Sequence, residues 1–476
     1  MASGTVETDR FSCTVHANRV SRVDRLKQKP VLFLEMSNSG GLLQLVATGR
    51  QDIYLSGNPQ TTFFKQVYRR YTNFSMETQY IAFDTAAEFN KLISVTIPRN
   101  GDLLSQLYLE VALPQISPTG PCVANPTPCG TTTIPPTNYA ANPPAVSWAN
   151  GIGYGMIDYI SVHIGQQEID RQYGEFMYLW TQLTTPGSKL TGVRTMIGQQ
   201  AVFTESSQSG PLRLFIPLYF WFCRNPGLAL PLLALQATPI KLYIHMKNGN
   251  NLVFSNALEQ SVLATGNCIS PIECPPTITD MRLWGDFIYL DVEERRRFVS
   301  SKHEYLIEQV QQQTRYSIPK NSTKISVPLT FNHPIKEFIW VVQQDRMIEA
   351  NELFNYGSRM LIEAGIPNLD LIDTALIQLD GYDRFQVQPA QYFRLMQPWQ
   401  YHTAIPNDFI YVYSFSLNPE AAQPQGSMNA SRIDSIVLQL AMNTQVNSVP
   451  SGVTVYAINY NVLRIVAGLG GVLFTV

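Results

Sequence analysis

Pro239-Ile-Lys-Leu-Tyr-Ile244 and Arg432-Ile-Asp-Ser-Ile-Val-Leu438 are the two stretches on which the fold turns. Ile240 stands fifteen positions after Asn225 of an Asn225-Pro226 pair, and Ile433 stands fifteen positions after Asn418 of Asn418-Pro419. In both cases a Pro- and Gly-bearing segment separates the pair from the apolar run. Working outward, Ile160-Ser-Val-His-Ile-Gly165 leads to Arg171 as Leu376-Ile-Gln-Leu-Asp-Gly381 leads to Arg384, and Ile93-Ser-Val95 echoes Ile325-Ser-Val327. The elements recur in one order roughly 200 residues apart, the spacing expected of a duplicated domain rather than of a short solenoid repeat.

Both copies read as β-structure. Alternation runs through 92–97, 107–113, 157–164 and 240–246, and returns in 324–331, 375–379, 409–415 and 453–458. These are short β-branched and aromatic runs broken by Pro, Gly and Asn, as sandwiches require. Helical patterns are few, the best being Glu175 to Gln182 and Asp291 to Phe298. In Asp291-Val-Glu-Glu-Arg-Arg-Arg297 the acids lead and the bases follow, complementing the ends of a short helix. The expected fold class is all-β: two tandem eight-stranded jelly-roll sandwiches with a short linker helix. The expected division is an N-terminal arm at 1–38, a first jelly roll at 39–290, the linker at 291–300 and a second jelly roll at 301–476.

Size and composition fit this. A chain of 476 residues suits two domains of roughly 200 residues each. Charged residues are 15%, below the roughly 25% of an average soluble protein, while aromatics reach 11%. Interface cores have that balance. A net charge of -2 supplies no field to hold a phosphate backbone, so direct nucleic-acid binding is not expected. No stretch reaches the ~18 apolar residues of a membrane span, and the N-terminus lacks a secretory layout. The run from Ile465 to Val476 reads as a last strand. The six cysteines lack zinc-knuckle spacing and the six histidines are isolated, so neither metal nor cofactor is expected. Glu110 with Asp158 would be a carboxylate pair for a glycosidase only across a cleft. No nucleophile elbow or Gly-rich phosphate loop accompanies them, and the chain reads as no enzyme.

Several longer segments carry a resemblance. Residues 40–65, from Gly40-Gly-Leu-Leu-Gln-Leu to Thr62-Phe-Phe-Lys65, closely resemble the N-terminal signature of major capsid proteins of nucleocytoplasmic large DNA viruses, among them chloroviruses, iridoviruses and marseilleviruses. Cys223-Arg-Asn-Pro-Gly-Leu, Tyr289-Leu-Asp-Val-Glu-Glu-Arg-Arg-Arg-Phe298, His303-Glu-Tyr-Leu-Ile-Glu-Gln-Val310, Phe331-Asn-His-Pro-Ile-Lys-Glu-Phe-Ile-Trp340 and Ser414-Phe-Ser-Leu-Asn-Pro-Glu420 add to it. The likeness runs from about residue 40 to the end. It implies a structural subunit that trimerises into a pseudo-hexagonal capsomer tiling an icosahedral shell over an inner membrane. Implied partners are copies of itself, minor capsid and penton proteins, and the membrane through the N-terminal arm; implied location is the virion capsid, with synthesis and assembly in the host cytoplasm. Members of the family usually begin just before the Gly-Gly-Leu signature, so residues 1–35 read either as a genuine arm or as an upstream extension of the reading frame.

Two alternatives remain open at this stage. One is a lower-copy minor or vertex-associated double jelly-roll protein. The other is a jelly-roll protein that binds host glycans, for which Tyr139 and Trp148 are the nearby aromatic candidates. Pro114 to Trp148 and Thr265 to Pro276 are assigned to two first-sandwich loops that share one end. They contain the candidate disulfide cysteines Cys122, Cys129, Cys268 and Cys274, although a reducing cytoplasm favours free thiols. Asn73, Asn321 and Asn429 head glycosylation sequons, without a secretory route to modify them.

Overall fold

The computed structural model describes residues 40–116, 146–200, 203, 209–256, 276–361, 363 and 365–475. Cys122, Cys129, Cys268, Cys274, Tyr139 and the arm 1–38 lie outside these residues. Residues 40–71, which the sequence reading joined to the first jelly roll, cluster as a unit of their own, and the second unit begins at Thr72. In the smaller unit, helical turns at Gly40–Val46 and Ile53–Ser56 precede a stretch without regular structure.

The larger unit is a duplicated sandwich. Its first eight long-range strands are β1 (Phe74–Ile81), β2 (Leu92–Thr96), β3 (Leu103–Leu113), β4 (Ile157–Ile164), β5 (Gln167–Tyr173), β6 (Leu212–Pro217), β7 (Ile240–Met246) and β8 (Asp280–Leu290). The next eight are β9 (His303–Ile318), β10 (Lys324–Leu329), β11 (Pro334–Gln344), β12 (Ile372–Leu379), β13 (Tyr382–Asp383), β14 (Ile410–Ser414), β15 (Ile436–Met442) and β16 (Ser451–Val466). The first sandwich pairs its strands in the orders β1-β8-β3-β6 and β2-β7-β4-β5. The second pairs β9-β16-β11-β14 and β10-β15-β12-β13. Adding eight to every label of the first sandwich reproduces the second. Four-stranded antiparallel sheets in this order make a jelly roll, and two in tandem make the double jelly roll.

Local chemistry explains the strands. β7 and β15 bury every second residue in an identical pattern, as a strand with one wet face must. Pro328 sits in β10, an edge strand, where a missing N–H costs no ladder bond. The β12–β13 hairpin turns through Asp380 and Gly381, both at positive φ, the geometry of a two-residue primed turn.

Two expectations need correction. Ile433 does not open a strand: it follows the helical turn Ala430–Arg432, and β15 begins at Ile436. The true counterpart of Ile240 is therefore Ile436, and the equal spacing of fifteen does not survive. The extra turn is used locally, since the Ser431 hydroxyl accepts the His333 N–H. The C-terminal run is not one strand either. β16 ends at Val466, Ala467 and Gly468 turn at positive φ, and Leu469–Val472 pairs back onto β16.

Helices occupy the connections. α1 (Gly174–Thr184) and α2 (Gly187–Ile197) lie between β5 and β6, α3 (Val292–Ser300) joins the sandwiches, and α4 (Gln397–Tyr401) continues a wide helical turn, Tyr392–Met396, between β13 and β14. Asp291 caps α3 through the Val292 N–H. Arg295 of α3 pairs with buried Asp102 at 2.8 Å, and Phe298 packs on Leu103, Ala229 and Ile288. The linker is thus exposed along most of its length but pinned at two points.

Candidate assembly interface

In sheet β9-β16-β11-β14 the strands β11 and β14 and most of β16 are buried on both faces, whereas the edge strand β9 is partly open. Phe338, Trp340 and Val342 of β11 point into the second sandwich's own core, whereas Ile339 and Val341 join the cluster of the first sandwich. β14 divides the same way, with Tyr411 and Tyr413 inward and Ile410 and Val412 toward the first sandwich. A strand covered on both faces reads as a continuous apolar run, which accounts for the unbroken Phe409-Ile-Tyr-Val-Tyr413.

The cover is α1. A Cβ at Gly174 would collide with the Tyr154 and Ile157 carbonyl oxygens, so glycine lets the helix start hard against the first sandwich. Nine of its eleven residues are buried. Glu175 accepts the Tyr456 hydroxyl at 2.6 Å and the Tyr356 hydroxyl at 3.1 Å, and Phe176 packs on the Tyr456 ring. Tyr178 stacks on Phe354 at 4.0 Å and donates to Asp408 at 2.7 Å. Burial pushes the Asp408 carboxyl up. Asp170 of β5 accepts the Val310 N–H at 3.0 Å, and burial lifts its carboxyl to about 6. Asn351 donates to the Asn250 and Val253 carbonyls, tying a second-sandwich loop to the first.

A charged cluster completes the seam. Lys336 pairs with Glu308 at 2.6 Å, Arg224 pairs with the other Glu308 oxygen, and both cations lie over Trp180. The fully buried His402 ring sits 3.0 Å from Glu337 and 3.1 Å from Glu420. The Glu337 contact is an ion pair off the hydrogen-bond axis, since His402 Nε2 finds no well-aligned acceptor. Burial alone would lower the imidazole, but the charges of Glu337 and Glu420 outweigh it and raise it to about 9. Three carboxylates thus meet three cationic groups where α1 lies on the second sandwich. Such clusters add little net stability over apolar packing, but they penalise any other register.

Among the described residues of the larger unit, nothing comparable covers the equivalent sheet of the first sandwich, β1-β8-β3-β6. Tyr80, Trp284 and Tyr108 form a row on its outer face, with ring centroids 6.0 and 6.4 Å apart. Trp284 donates to Glu110 at 2.7 Å, and that bond, with Arg213 beside it, holds the Glu110 carboxyl below its usual range. Next to this row an open cavity of about 690 Å³ is lined by Tyr108, Phe215, Pro217, Leu218, Trp180 and Met196. On the second sandwich the counterpart of α1, the helical stretch 392–401, exposes Leu395, Met396 and Trp399, the last at 66%.

The other sequence candidates are scattered. Glu110 and Asp158 lie on opposite sheets, and Asp158 is held by His245 at 3.1 Å. Ser161, His163 and Glu168 have the residue types of a catalytic triad, but Ser161 and Glu168 both address His163 Nε2, so no proton relay is possible. No metal-binding group of three ligands occurs among the described residues. Trp148 is 0% exposed and donates to the Pro114 carbonyl, so it cannot be a glycan platform. Of the segment Thr265 to Pro276 only Pro276 lies within the described residues; elsewhere in the β7–β8 connection, Val253 and Phe254 pair with Trp148 and Ser147. Asn73, Asn321 and Asn429 are all exposed; Asn321 lies in the β9–β10 turn, whereas Asn429 pairs with Pro334 at the opposite end of its sandwich. Cys223 is a free thiol pushed up to about 12 by burial.

Comparison with known proteins decides what this architecture is. The profile described as the major capsid protein N-terminus matches residues 62–291, and that of the large eukaryotic DNA virus major capsid protein matches 294–471. The chain belongs to this capsid family. The major capsid protein of Pyramimonas orientalis virus is 36% identical over 92% of this chain and 99% of its own length. That of Phaeocystis pouchetii virus is 35% identical, covering 92% and 100%. The quasi-atomic PBCV-1 virus capsid superimposes with a TM-score of 0.69 at 28% identity, over 87% of this chain and all of that one. The Faustovirus major capsid protein, at 16% identity and a TM-score of 0.67, shares the fold. The protein is accordingly a structural component of a virion capsid and not an enzyme.

Proposed function

We propose that three copies close into a pseudo-hexagonal capsomer in which the stretch 392–401 of one copy packs on the outer face of β1-β8-β3-β6 of the next. The observation that carries this is the mismatch between equivalent surfaces. Within one chain, the helix after the fifth strand covers the neighbouring sandwich's sheet. Repeating that contact between chains would pair Trp399 and Met396 of one copy with the Tyr80–Trp284–Tyr108 row and Phe215 of another. The operation closes after three copies and six lobes, so one chain can fill a near-hexagonal lattice. The division at 291–300, with the first jelly roll at 39–290 carrying 40–71 as a leader ahead of its strands and the second at 301–476, is part of this reading, as the two sandwiches must be equivalents.

Such capsomers would contact minor capsid and penton proteins at their rims, and the inner membrane through residues 1–38, in assembly in the host cytoplasm. The net charge of -2 supports a shell without direct genome contact. Sedimentation velocity tests the capsomer. A trimer is expected for the full chain, with Trp399→Ser or Phe215→Ser weakening association by roughly 10- to 100-fold while leaving the monomer folded. A monomer at every concentration, or variants that trimerise as tightly as the parent, overturns the proposal.

A further inference from the structure

Among the described residues, those at 40–71 form the segment least suited to water. Phe63 and Phe64 are 96% and 99% exposed, and Tyr54, Leu55, Val67 and Tyr68 are each close to fully open. Exposed apolar density of this kind marks a surface that is covered in the working state. The segment is also basic: Arg50, Lys65, Arg69 and Arg70 face Asp52 alone, a net of +3. From Thr72 onward the chain holds 24 basic and 31 acidic residues, a net of -7.

The second sandwich shows what a leader of this composition does. Its own leader, α3, carries Arg295-Arg-Arg-Phe298 and is seated on the preceding lobe by an Arg–Asp pair and a half-buried Phe packed on Leu103, Ala229 and Ile288. The first sandwich is led by Tyr68-Arg-Arg-Tyr71, the same basic and aromatic chemistry a few residues before β1. In a ring of six lobes the lobe preceding the first sandwich belongs to another chain. We propose that residues 40–71 form a strap that seats on the acidic body of a second copy of this chain, with Phe63 and Phe64 as apolar anchors and Arg69 and Arg70 as the charged ones. The proposal rests on the capsomer reading.

Co-expressed full-length copies bearing two different tags test it, one carrying Phe64→p-benzoylphenylalanine. Irradiation of the purified trimer should join the two tags, and Arg69→Gln with Arg70→Gln, or raised salt, should lower that yield several-fold. A trimer whose crosslinks stay within one chain, are absent, or go instead to added phosphatidylserine vesicles overturns the strap and leaves the capsomer standing. A preparation that is monomeric throughout overturns both.

Discussion

Sheets β9-β16-β11-β14 and β1-β8-β3-β6 have the same strand order and opposite fates. The first has β11, β14 and most of β16 covered on both faces within the chain; the second shows an aromatic row to solvent. The difference is one of position in the chain. A duplicated domain can satisfy the face of its second copy with the helix of its first, but among the described residues no sandwich precedes the first to supply a helix in the same way. On the proposed capsomer reading that face is left for a neighbour. Tandem duplication therefore builds one internal interface and, on that reading, one external site that takes the same kind of partner.

The largest break in the comparison comes from the covered sheet. Trp340 is fully buried against Phe393 and Tyr411, so Trp340→Ala should cost about 3–5 kcal/mol, measured by denaturant unfolding of the isolated chain. A loss below about 1 kcal/mol would mean that the sheet is not packed as described. Next is the seam's pH dependence. The His402 imidazole is raised to about 9 in the folded chain against about 6.5 unfolded. A raised folded value means that its contribution is fully present below about 6.5 and is lost as pH rises through about 9. The loss should be on the order of 3 kcal/mol, and His402→Gln should flatten the stability profile in that window. A parent profile already flat from pH 6.5 to 9 would show that the imidazole is not held between Glu337 and Glu420.

How much of this was legible before any coordinates depended on which surface a strand faces. β4 and β7 were read to the residue: β7 has one wet face and alternates strictly, and β4 keeps its apolar alternation in sequence despite a register shift after Ile157 and a buried Ser161. β9 escaped as a strand: Gln311 and Gln312 break its apolar pattern because their amides donate to the Asn332 carbonyl and the Tyr456 hydroxyl. α2 was missed although Pro186 precedes it and Gly198 follows at positive φ, stop and start signals that its weak apolar stripe did not reinforce. The seam could not be read at all. Nothing in the spacing of Arg224, Glu308, Lys336 and His402 shows that four distant loops and strands bring their charges together.

A smaller effect separates cover from core. Tyr456→Phe keeps the ring on Phe176 but removes the hydroxyl that donates to Glu175 and accepts from Gln312. A hydrogen bond to a charged group is worth about 1.5–3 kcal/mol, and that loss should appear in unfolding of the whole chain, since α1 and the second sandwich would part together. Two separate transitions instead of one would show that the cover is not cooperative with the sheet beneath it.

The smallest expected effect is on the uncovered face, and it is the most informative. Tyr80 is 48% exposed and touches Trp284 edge-on, so Tyr80→Ala should change monomer stability by no more than about 1 kcal/mol. The same substitution removes ring area from the row offered to the next copy, so it should weaken trimer formation far more than it weakens folding. Measuring both in one preparation separates a face built for a partner from a face that merely tolerates aromatics. If Tyr80→Ala unfolds the monomer by several kcal/mol, the row belongs to the chain's own core, and the asymmetry between the two sheets loses its meaning.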